Sequence, residues 1–280
     1  MNKRTVTVTE LEAFRHYLTE NEKAGSTIEK YMRDVLALVS YAGGKPLEKE
    51  LILQYKADIA DRYTARSCNS MLAAINSFLR FMGMGDQCVK QFKIQKEAYC
   101  SEEKELSKAE YTSLVRMAES MKNERLSLIM QTVCGTGIRI GELKFLTVEA
   151  LNRGEAVVNC KGKTRKIFIV SALRKKLILY VKKNRIRSGM IFRTKSGKPV
   201  DRSNVWREMK SLCARAGVSP EKVFPHNLRH LFARTFYGIE KDIAKLADIL
   251  GHSNINTTRI YIMTTGAEHQ RRMENLRLII

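Results

Sequence analysis

Apolar residues recur at helical spacing through almost the whole chain, and this pattern is interrupted in two places. From Gln91 to Glu105 the sequence QFKIQKEAYCSEEKE is polar and has no sustained apolar periodicity. Beyond Leu146, the segments AVVNC (156–160) and RKIFIV (165–170) flank a turn-like KGKT and have the strand pattern of a β-hairpin. This pattern predicts helical layers with one small sheet, and the polar stretch suits an exposed connection between domains.

The segment before the polar stretch predicts a helical domain at 1–92, followed by a linker at 93–105. Its apolar residues recur every three to four positions, as in a compact bundle of about four helices. We expect Thr9 to cap the first helix and Ser26 the second, which ends at Gly43-Gly44, with the third and fourth helices at Leu47–Ala60 and Ser67–Phe81.

The remainder, 106–280, predicts a mixed α+β domain. Ser107 and Glu110 form a capping box that opens a helix to about Met121. Helices are also expected at 123–134, 171–184, 201–216, 226–237, 241–250, 255–264 and 267–279, with a short extended piece at Met190–Phe192. The predicted fold class is mainly α, with a four-helix domain followed by an α+β domain that holds a small β-sheet.

The net charge indicates a polyanionic partner. The chain has 50 Lys and Arg against 29 Asp and Glu, which gives +21, and +18 of this lies in residues 101–280. A generally basic surface is the alternative explanation. A membrane is a weaker candidate, because the basic residues are dispersed and there is no uncharged apolar stretch of about 20 residues.

The cysteines and the N-terminus predict a reducing, cytoplasmic location. The six cysteines contain no C-x-x-C pair and no disulfide-framework spacing. The first ten residues, MNKRTVTVTE, lack the apolar core of a signal peptide.

Three motifs that suggest cofactors fail on spacing or context. GTGIRIG (135–141) is one residue too long for a dinucleotide fingerprint and follows a helix, and GKT (162–164) has Val157 where a phosphate-binding loop needs glycine. His226 and His230 are spaced like zinc ligands, but Asn227 stands where a zinc protease has glutamate, so zinc is a minor alternative.

A set of cationic and proton-transferring residues remains, and each one alone has an ordinary structural explanation. A surface charge, a solvated turn residue, a helix-terminal histidine or a core tyrosine would account for any single member. The set comprises Arg139, Lys161, His226, Arg229, His252 and Tyr261.

Together these residues resemble the catalytic signature of the tyrosine recombinases, also called the phage integrase family. Arg139 with Glu142 resembles the first arginine motif, and Lys161 lies in a strand-turn-strand where the family has its lysine. HNLRH supplies an H-x-x-R pair, LGH a second histidine, and Tyr261 follows it by nine residues. A small helical core-binding (SAM-like) domain before the catalytic domain is also the family's arrangement, and the chain is similar to the short Xer-type or simple integrase branch.

The resemblance implies a site-specific recombinase that cleaves and rejoins DNA through a covalent 3′-phosphotyrosyl intermediate. Two guanidiniums can clamp the phosphate oxygens that gain negative charge during attack. A free phenol has a pKa of about 10 and therefore needs cations and a base to act as nucleophile. The implied roles are nucleophile for Tyr261, base for His226, general acid for Lys161, phosphate binding for Arg139, Arg229 and His252, and positioning of a neighbouring side chain for Glu142.

No metal or other cofactor is expected, because cationic side chains stabilise the phosphate charge and the tyrosyl ester retains the energy needed for resealing. The implied partner is double-stranded DNA, bound by a protein that is mostly monomeric when free and tetrameric on two sites, and accessory DNA-binding proteins could assist. Met273, Leu276 and Ile280 form an apolar stripe that packs either on its own domain or on a neighbouring copy.

Two alternatives stay open at this point. A type IB topoisomerase uses similar residues on one strand as a monomer, and a DNA-binding protein could keep the fold without catalysis. The DNA target, and the choice among dimer resolution, phage integration, transposition and inversion, do not follow from these residues.

Overall fold

A computed structural model of the chain describes residues 6–94, 104–160, 163–194, 196–263, 270–271 and 273–276. The structure is 68% helical with a small two-stranded sheet, which confirms the predicted mainly α fold class. The chain divides into two compact units, residues 1–96 and 97–280. Throughout the described ranges, no helix is long and apolar enough to span a membrane.

The first unit is the predicted four-helix arrangement. Apolar residues at helical spacing bury a common core, in which Phe14, Leu38, Ile52 and Phe78 are fully buried. The helices are α1 (Val8–Glu20), α2 (Gly25–Ala42), α3 (Lys49–Arg62) and α4 (Ala65–Phe81), followed by a 3-10 turn at Gly85–Gln87.

Several predicted helix starts in this unit are wrong. Thr7, not Thr9, caps α1, because its side chain accepts the Glu10 N–H while the Glu10 carboxylate accepts the Thr7 N–H. The first bonds of α2 go to the Ala24 carbonyl, so Ser26 lies inside that helix. Thr64 caps α4, which begins at Ala65, two residues before the expected start.

The second unit confirms the capping box of Ser107 with Glu110. It also contains elements that were not predicted, including a 3-10 turn at Ile140–Phe145 and a short helix at Val148–Arg153. The helices described here are α5 (Lys108–Ser120), α6 (Glu124–Thr136), α7 (Val148–Arg153), α8 (Ser171–Lys183), α9 (Arg202–Ala216), α10 (Pro225–Glu240), α11 (Ile243–Leu250) and α12 (Ile255–Tyr261), and a further 3-10 turn spans Pro220–Lys222.

Several predicted elements differ in extent from the structure, among them α3, expected at 47–60, α10, expected at 226–237, and the second strand, expected at 165–170. Helix α12 ends at Tyr261, three residues before the expected end at 264. Most of the expected tail helix at 267–279 lies outside the described residues, and 270–271 and 273–276 are the part that is described. The extended piece near Met190 forms an isolated antiparallel bridge with Thr147.

The hairpin prediction is confirmed by strands β1 (Glu155–Cys160) and β2 (Lys163–Phe168), which pair antiparallel. Alternation directs Ala156 and Ile167 into the main core of the second unit. Arg165 lies on the same inner face, opposite Val158, and only 13% of its side chain is exposed. A charged side chain is thereby directed inward from the strand that follows the hairpin turn.

Candidate active site

Helix α10 carries three of the polar side chains at the site. Its first turn contains Pro225, which pre-sets the helical backbone and lacks the N–H that would be unpaired there. His226, Arg229 and His230 follow at spacings of three and four residues, which places them on one helical face.

Arg229 is the largest side chain that is almost completely buried, with 1% exposure. Its Nη1 donates to the Gly137 carbonyl, and its Nη2 donates to the Leu250 carbonyl at 2.6 Å. These carbonyls lie at the C-terminal ends of α6 and α11, where helix carbonyls lack intrahelical partners and a cation is favoured. The guanidinium is therefore fixed in orientation by two helix ends.

Gly137 makes this close approach feasible. Its φ of +66° lies in the left-handed region, and a Cβ at this position would come within 2.6 Å of the Phe232 ring. The glycine in GTGIRIG therefore serves to end a helix and to present a carbonyl to Arg229.

Tyr261 is the last residue of α12, and its side chain is 5% exposed. Its ring belongs to a small apolar cluster with Ala233, Leu246 and Leu250. Its hydroxyl lies 3.1 Å from Nε2 of His226, within hydrogen-bond distance. The core thus holds the ring, while the hydroxyl contacts a potential base.

His252 connects Arg229 to α12. Its Nε2 is 3.0 Å from Arg229 Nη2, and its Nδ1 is 2.9 Å from the buried hydroxyl of Thr258. Because a guanidinium can only donate, Nε2 accepts this bond, and the proton of a neutral imidazole is on Nδ1. We therefore assign the Nδ1–H tautomer, which donates to Thr258.

Glu142 is buried between two arginines. Its Oε1 accepts from Arg139 Nη1 at 3.0 Å, and its Oε2 accepts from the Arg139 backbone N–H at 2.9 Å and from Arg165 Nη2 at 2.7 Å. Arg165 Nη1 also donates to the Leu250 carbonyl at 2.7 Å. The Leu250 oxygen therefore accepts from both Arg165 and Arg229.

Burial and then nearby cations lower the pKa of both histidines. Desolvation lowers the pKa of His226 to about 4, and repulsion from His230, Arg229, Arg202 and Arg139 adds to this effect. The pKa of His252 is likewise lowered to about 4, first by burial and then by the neighbouring arginines. Both imidazoles are neutral at pH 7.

Burial also lowers the pKa of Arg229, to about 10, with the charge of Arg139 as the next cause. Arg229 therefore remains cationic at neutral pH. The site combines a fixed positive charge with a neutral proton acceptor and a phenol, which suits acid–base chemistry on an anionic substrate.

The structure brings together most of the residues that the sequence singled out. Lys161 lies outside the described residues, between the ends of β1 and β2. The residues brought into one cluster of direct or electrostatic contacts are Arg139, Glu142, His226, Arg229, His252 and Tyr261.

Sequence reasoning missed Arg165, Thr258 and the contacts of His230. Arg165 alternates with the inward residues Ile167 and Ile169, a signal that was available. Instead of pairing for zinc, His226 contacts Tyr261 while His230 faces Glu105. In the part of the chain that the structure describes, no group of three or more His, Cys, Asp or Glu could hold a metal ion.

Comparison with known proteins confirms the resemblance. Residues 104–268 match the model of the Phage integrase family, a range that covers more than half of the chain. The chain therefore belongs to this family, the tyrosine recombinases.

Xer-type proteins are among its relatives. The chain is 28% identical to the tyrosine recombinase XerA of Pyrococcus furiosus, over 100% of this chain and 98% of that protein. A crystal structure of XerA recombinase has a TM-score of 0.56 at 24% identity, covering 97% of this chain and 99% of that one. A crystal structure of a lambda integrase tetramer bound to a Holliday junction has a TM-score of 0.74 at 19% identity, covering 93% and 78%.

These similarities decide between the function classes. The structural matches show that the chain has the fold of these recombinases. Family membership and the Xer-type relatives favour a site-specific recombinase over a type IB topoisomerase or a catalytically silent DNA-binding protein.

Proposed function

We propose that this tyrosine recombinase cleaves DNA with Tyr261 as its nucleophile. The observation that carries the proposal is the 3.1 Å contact between the Tyr261 hydroxyl and a neutral His226 beside the buried Arg229. The Tyr261 oxygen forms a bond to phosphorus while the bond from phosphorus to the 5′ oxygen breaks. The products are a 3′-phosphotyrosyl link and a 5′ hydroxyl, and attack by a 5′ hydroxyl on that link reverses the step.

His226 accepts the proton of the phenol. A base must be unprotonated before the reaction, and the lowered pKa of His226, about 4, keeps it neutral at physiological pH. The bound phosphate is anionic and raises the proton affinity of this ring when DNA is present. The same histidine is thus neutral before DNA binds and a better proton acceptor afterwards.

Arg229 and Arg139 stabilise the charge that develops on the nonbridging oxygens. Within the described residues, the Nε of Arg229 is buried and makes no hydrogen bond, so this N–H is a donor that the free protein does not use. The side chain of Arg139 is 40% exposed, and its Nη1 is held by Glu142. Fixed donors that need no reorganisation are the arrangement that stabilises such a transition state best.

His252 is proposed to bind a phosphate oxygen. In the free protein its Nε2 accepts from Arg229, so this contact requires a proton on Nε2. A phosphate next to the ring favours the protonated form and opposes the repulsion from Arg229 and Arg139 that lowers the pKa. Thr258 keeps the ring oriented through Nδ1 in both states.

Lys161 is proposed as the general acid that protonates the departing 5′ oxygen. This role rests on the family resemblance and on its place in the sequence between the ends of β1 and β2. The cationic side chains and the preserved ester energy are the reasons that we propose catalysis without a metal, ATP or another cofactor.

The proposed substrate is double-stranded DNA with two recombination sites. Two copies of the chain bind each site, and the free protein is mostly monomeric. A lambda integrase tetramer on a Holliday junction has the same fold, which supports this assembly. Met273 and Leu276 are 58% and 61% exposed, in line with a tail that docks on a neighbouring copy, and Ile280 lies outside the described residues.

A nicked suicide duplex tests the proposal. A binding site for the protein is first selected from random DNA and is placed next to the nick. The short fragment that carries the new 5′ hydroxyl then diffuses away after cleavage. We expect a covalent protein–DNA adduct in excess EDTA with the wild type and none with Tyr261→Phe, while both proteins bind the duplex equally. Absence of the wild-type adduct, or an adduct with the variant, contradicts the proposal.

Exchange of strands between two such sites separates recombination from topoisomerase activity. We expect recombinant products on gels from two sites and no product from one site. Relaxation of supercoiled DNA without any recombinant product would instead favour the topoisomerase alternative.

A further inference from the structure

Among the rings of the described residues that contact Tyr261, the nearest belongs to a residue that the proposed chemistry does not use. The His230 and Tyr261 rings are 4.2 Å apart between centroids, with an interplanar angle of 30°, in a stacked arrangement. The rings of His226 and His252 are farther away, at 5.1 and 5.0 Å. One face of the nucleophile therefore rests on His230, whereas His226 contacts its hydroxyl.

His230 also lies beside Glu105. Its Nδ1 lies 3.7 Å from Glu105 Oε1, and Arg234 Nη1 lies 2.9 Å from Glu105 Oε2. The Glu105 side chain is 14% exposed. Burial alone would raise the pKa of Glu105, but His230 and Arg234 hold it below the usual value for a glutamate. The carboxylate is therefore an anionic anchor for the imidazole.

The same face of α10 binds the residues on either side of Glu105. Asn227 Nδ2 donates to the Lys104 carbonyl at 2.7 Å, and Arg234 Nη2 donates to the Leu106 carbonyl at 2.6 Å. Residues 227, 230 and 234 share one helical face at spacings of three and four. Lys104 and Glu105, which the polar pattern assigned to the linker, are thus fixed to the helix that carries the proposed base.

Tyr261 needs such support because its helix is short. It is the last residue of the seven-residue α12, so the direction of its hydroxyl depends on what the ring packs against. A displacement of about 1 Å at a reacting atom can cost on the order of a hundredfold in rate.

We infer that His230, anchored by Glu105, is a positioning residue that sets the plane of the Tyr261 ring and so directs its hydroxyl toward His226. This inference rests on the proposed role of Tyr261. It assigns to the start of the catalytic unit, Lys104–Leu106, a direct influence on the nucleophile.

Three variants separate the ring stack from the charge. His230→Ala removes the stack, His230→Phe keeps a ring without the contact to Glu105, and Glu105→Gln keeps the shape of the acid without its charge. Glu221→Gln, at an exposed acid of the same unit, is the matched control.

The first measurement is the rate of adduct formation in a single turnover, together with DNA affinity. We expect His230→Ala to slow the reaction at least about tenfold with unchanged affinity, and His230→Phe to restore the rate to within about threefold of wild type. Glu105→Gln should fall between them, and Glu221→Gln should match the wild type. Equal losses in His230→Ala and His230→Phe, or no loss in either, would overturn the inference.

The second measurement does not depend on activity. In free protein with ¹³C-labelled tyrosine, the Tyr261 signal is the one that Tyr261→Phe removes. We expect this signal to shift in His230→Ala and Glu105→Gln, but not in Glu221→Gln. An unchanged Tyr261 signal in both His230→Ala and Glu105→Gln overturns the positioning role, whether or not the wild type forms an adduct. Absence of a wild-type adduct, by itself, refutes only the proposed function. If His230→Ala does not fold, His230→Phe and Glu105→Gln carry the test.

Discussion

The candidate active site has two walls, which hold their charged groups in place by different interactions. The helical wall, formed by His226, Arg229, His252 and Tyr261 on α10–α12, is anchored in an apolar cluster and by carbonyls at helix ends. The hairpin wall, formed by Arg139, Glu142 and Arg165, depends on one buried carboxylate. The first wall is therefore fixed by packing, and the second by ion pairs.

The two walls meet at one atom. The Leu250 carbonyl oxygen accepts from Arg229 of the helical wall and from Arg165 of the hairpin wall. Gly251 follows with a φ of +64°, and a Cβ there would clash with the Arg165 side chain. Through Arg165, strand β2 therefore contacts the turn that carries His252.

Arg229 should show the largest effect of substitution. Arg229→Ala removes a phosphate donor and leaves the Gly137 and Leu250 carbonyls without this partner, so we expect cleavage to fall on the order of a hundredfold or more. Stability should fall as well, by about 1–3 kcal/mol for each buried polar group left unpaired. Adduct formation in a single turnover and denaturant unfolding measure both losses.

Arg229→Lys is the matching control, since a lysine keeps the charge but cannot donate to two helix ends and His252 in a planar arrangement. We expect it to remain nearly as slow as the alanine variant. Near-normal cleavage by Arg229→Lys would contradict the proposed geometric role.

Arg139 should separate catalysis from stability. Arg139→Ala removes the second guanidinium, so a loss of cleavage on the order of a hundredfold is again expected. The side chain is 40% exposed, and Arg165 still pairs with Glu142, so the free energy of unfolding should change much less than for Arg229→Ala. Equal losses of stability in the two variants would remove the distinction between the walls.

Two glycines of one loop test the support of the helical wall. Gly137→Ala imposes a left-handed backbone on a residue with a Cβ, at about 1–2 kcal/mol, and also crowds Phe232. Gly141→Ala meets no atom within 4 Å and has no such backbone requirement, so it should be nearly neutral. Denaturant unfolding of both variants checks this, and similar stabilities would contradict the account.

The remaining prediction concerns pH. His226 and His252 have pKa values of about 4 in the folded protein against about 6.5 in an unfolded chain, so the unfolded state binds more protons between these values. Stability is therefore fully present above about pH 6.5 and falls as pH approaches 4. The double variant His226→Gln and His252→Gln should show a smaller decrease of Tm over this range, and an identical decrease would contradict the proposed neutral state.

The sequence predicted the elements of the fold better than their exact starts. Both Thr7 with Glu10 and Thr9 with Glu12 have capping-box spacing, and local sequence cannot choose between two such boxes. Gly43 was recognised as the end of α2 because its φ of +57° is a conformation that glycine adopts readily.

The polar residues of the site were predicted through motif resemblance, but their contacts were not. The pairing of Glu105 with His230 joins residues 125 positions apart, and the pairing of Arg165 with Glu142 joins strand and turn. Such contacts depend on how distant elements pack, which no local pattern contains. Strand alternation predicts that Arg165 points inward, whereas a charged side chain is more often found at the surface.

Mapping the covalent link tests the central claim most directly. The suicide-duplex adduct is digested with nuclease and trypsin, and the modified peptide is identified by mass spectrometry. We predict a nucleotide-bearing phosphate on Tyr261 in the peptide IYIMTTGAEHQR, residues 260–271. A phosphate link at any other residue, or no covalent link in an active protein, would contradict the assignment of Tyr261 as the nucleophile.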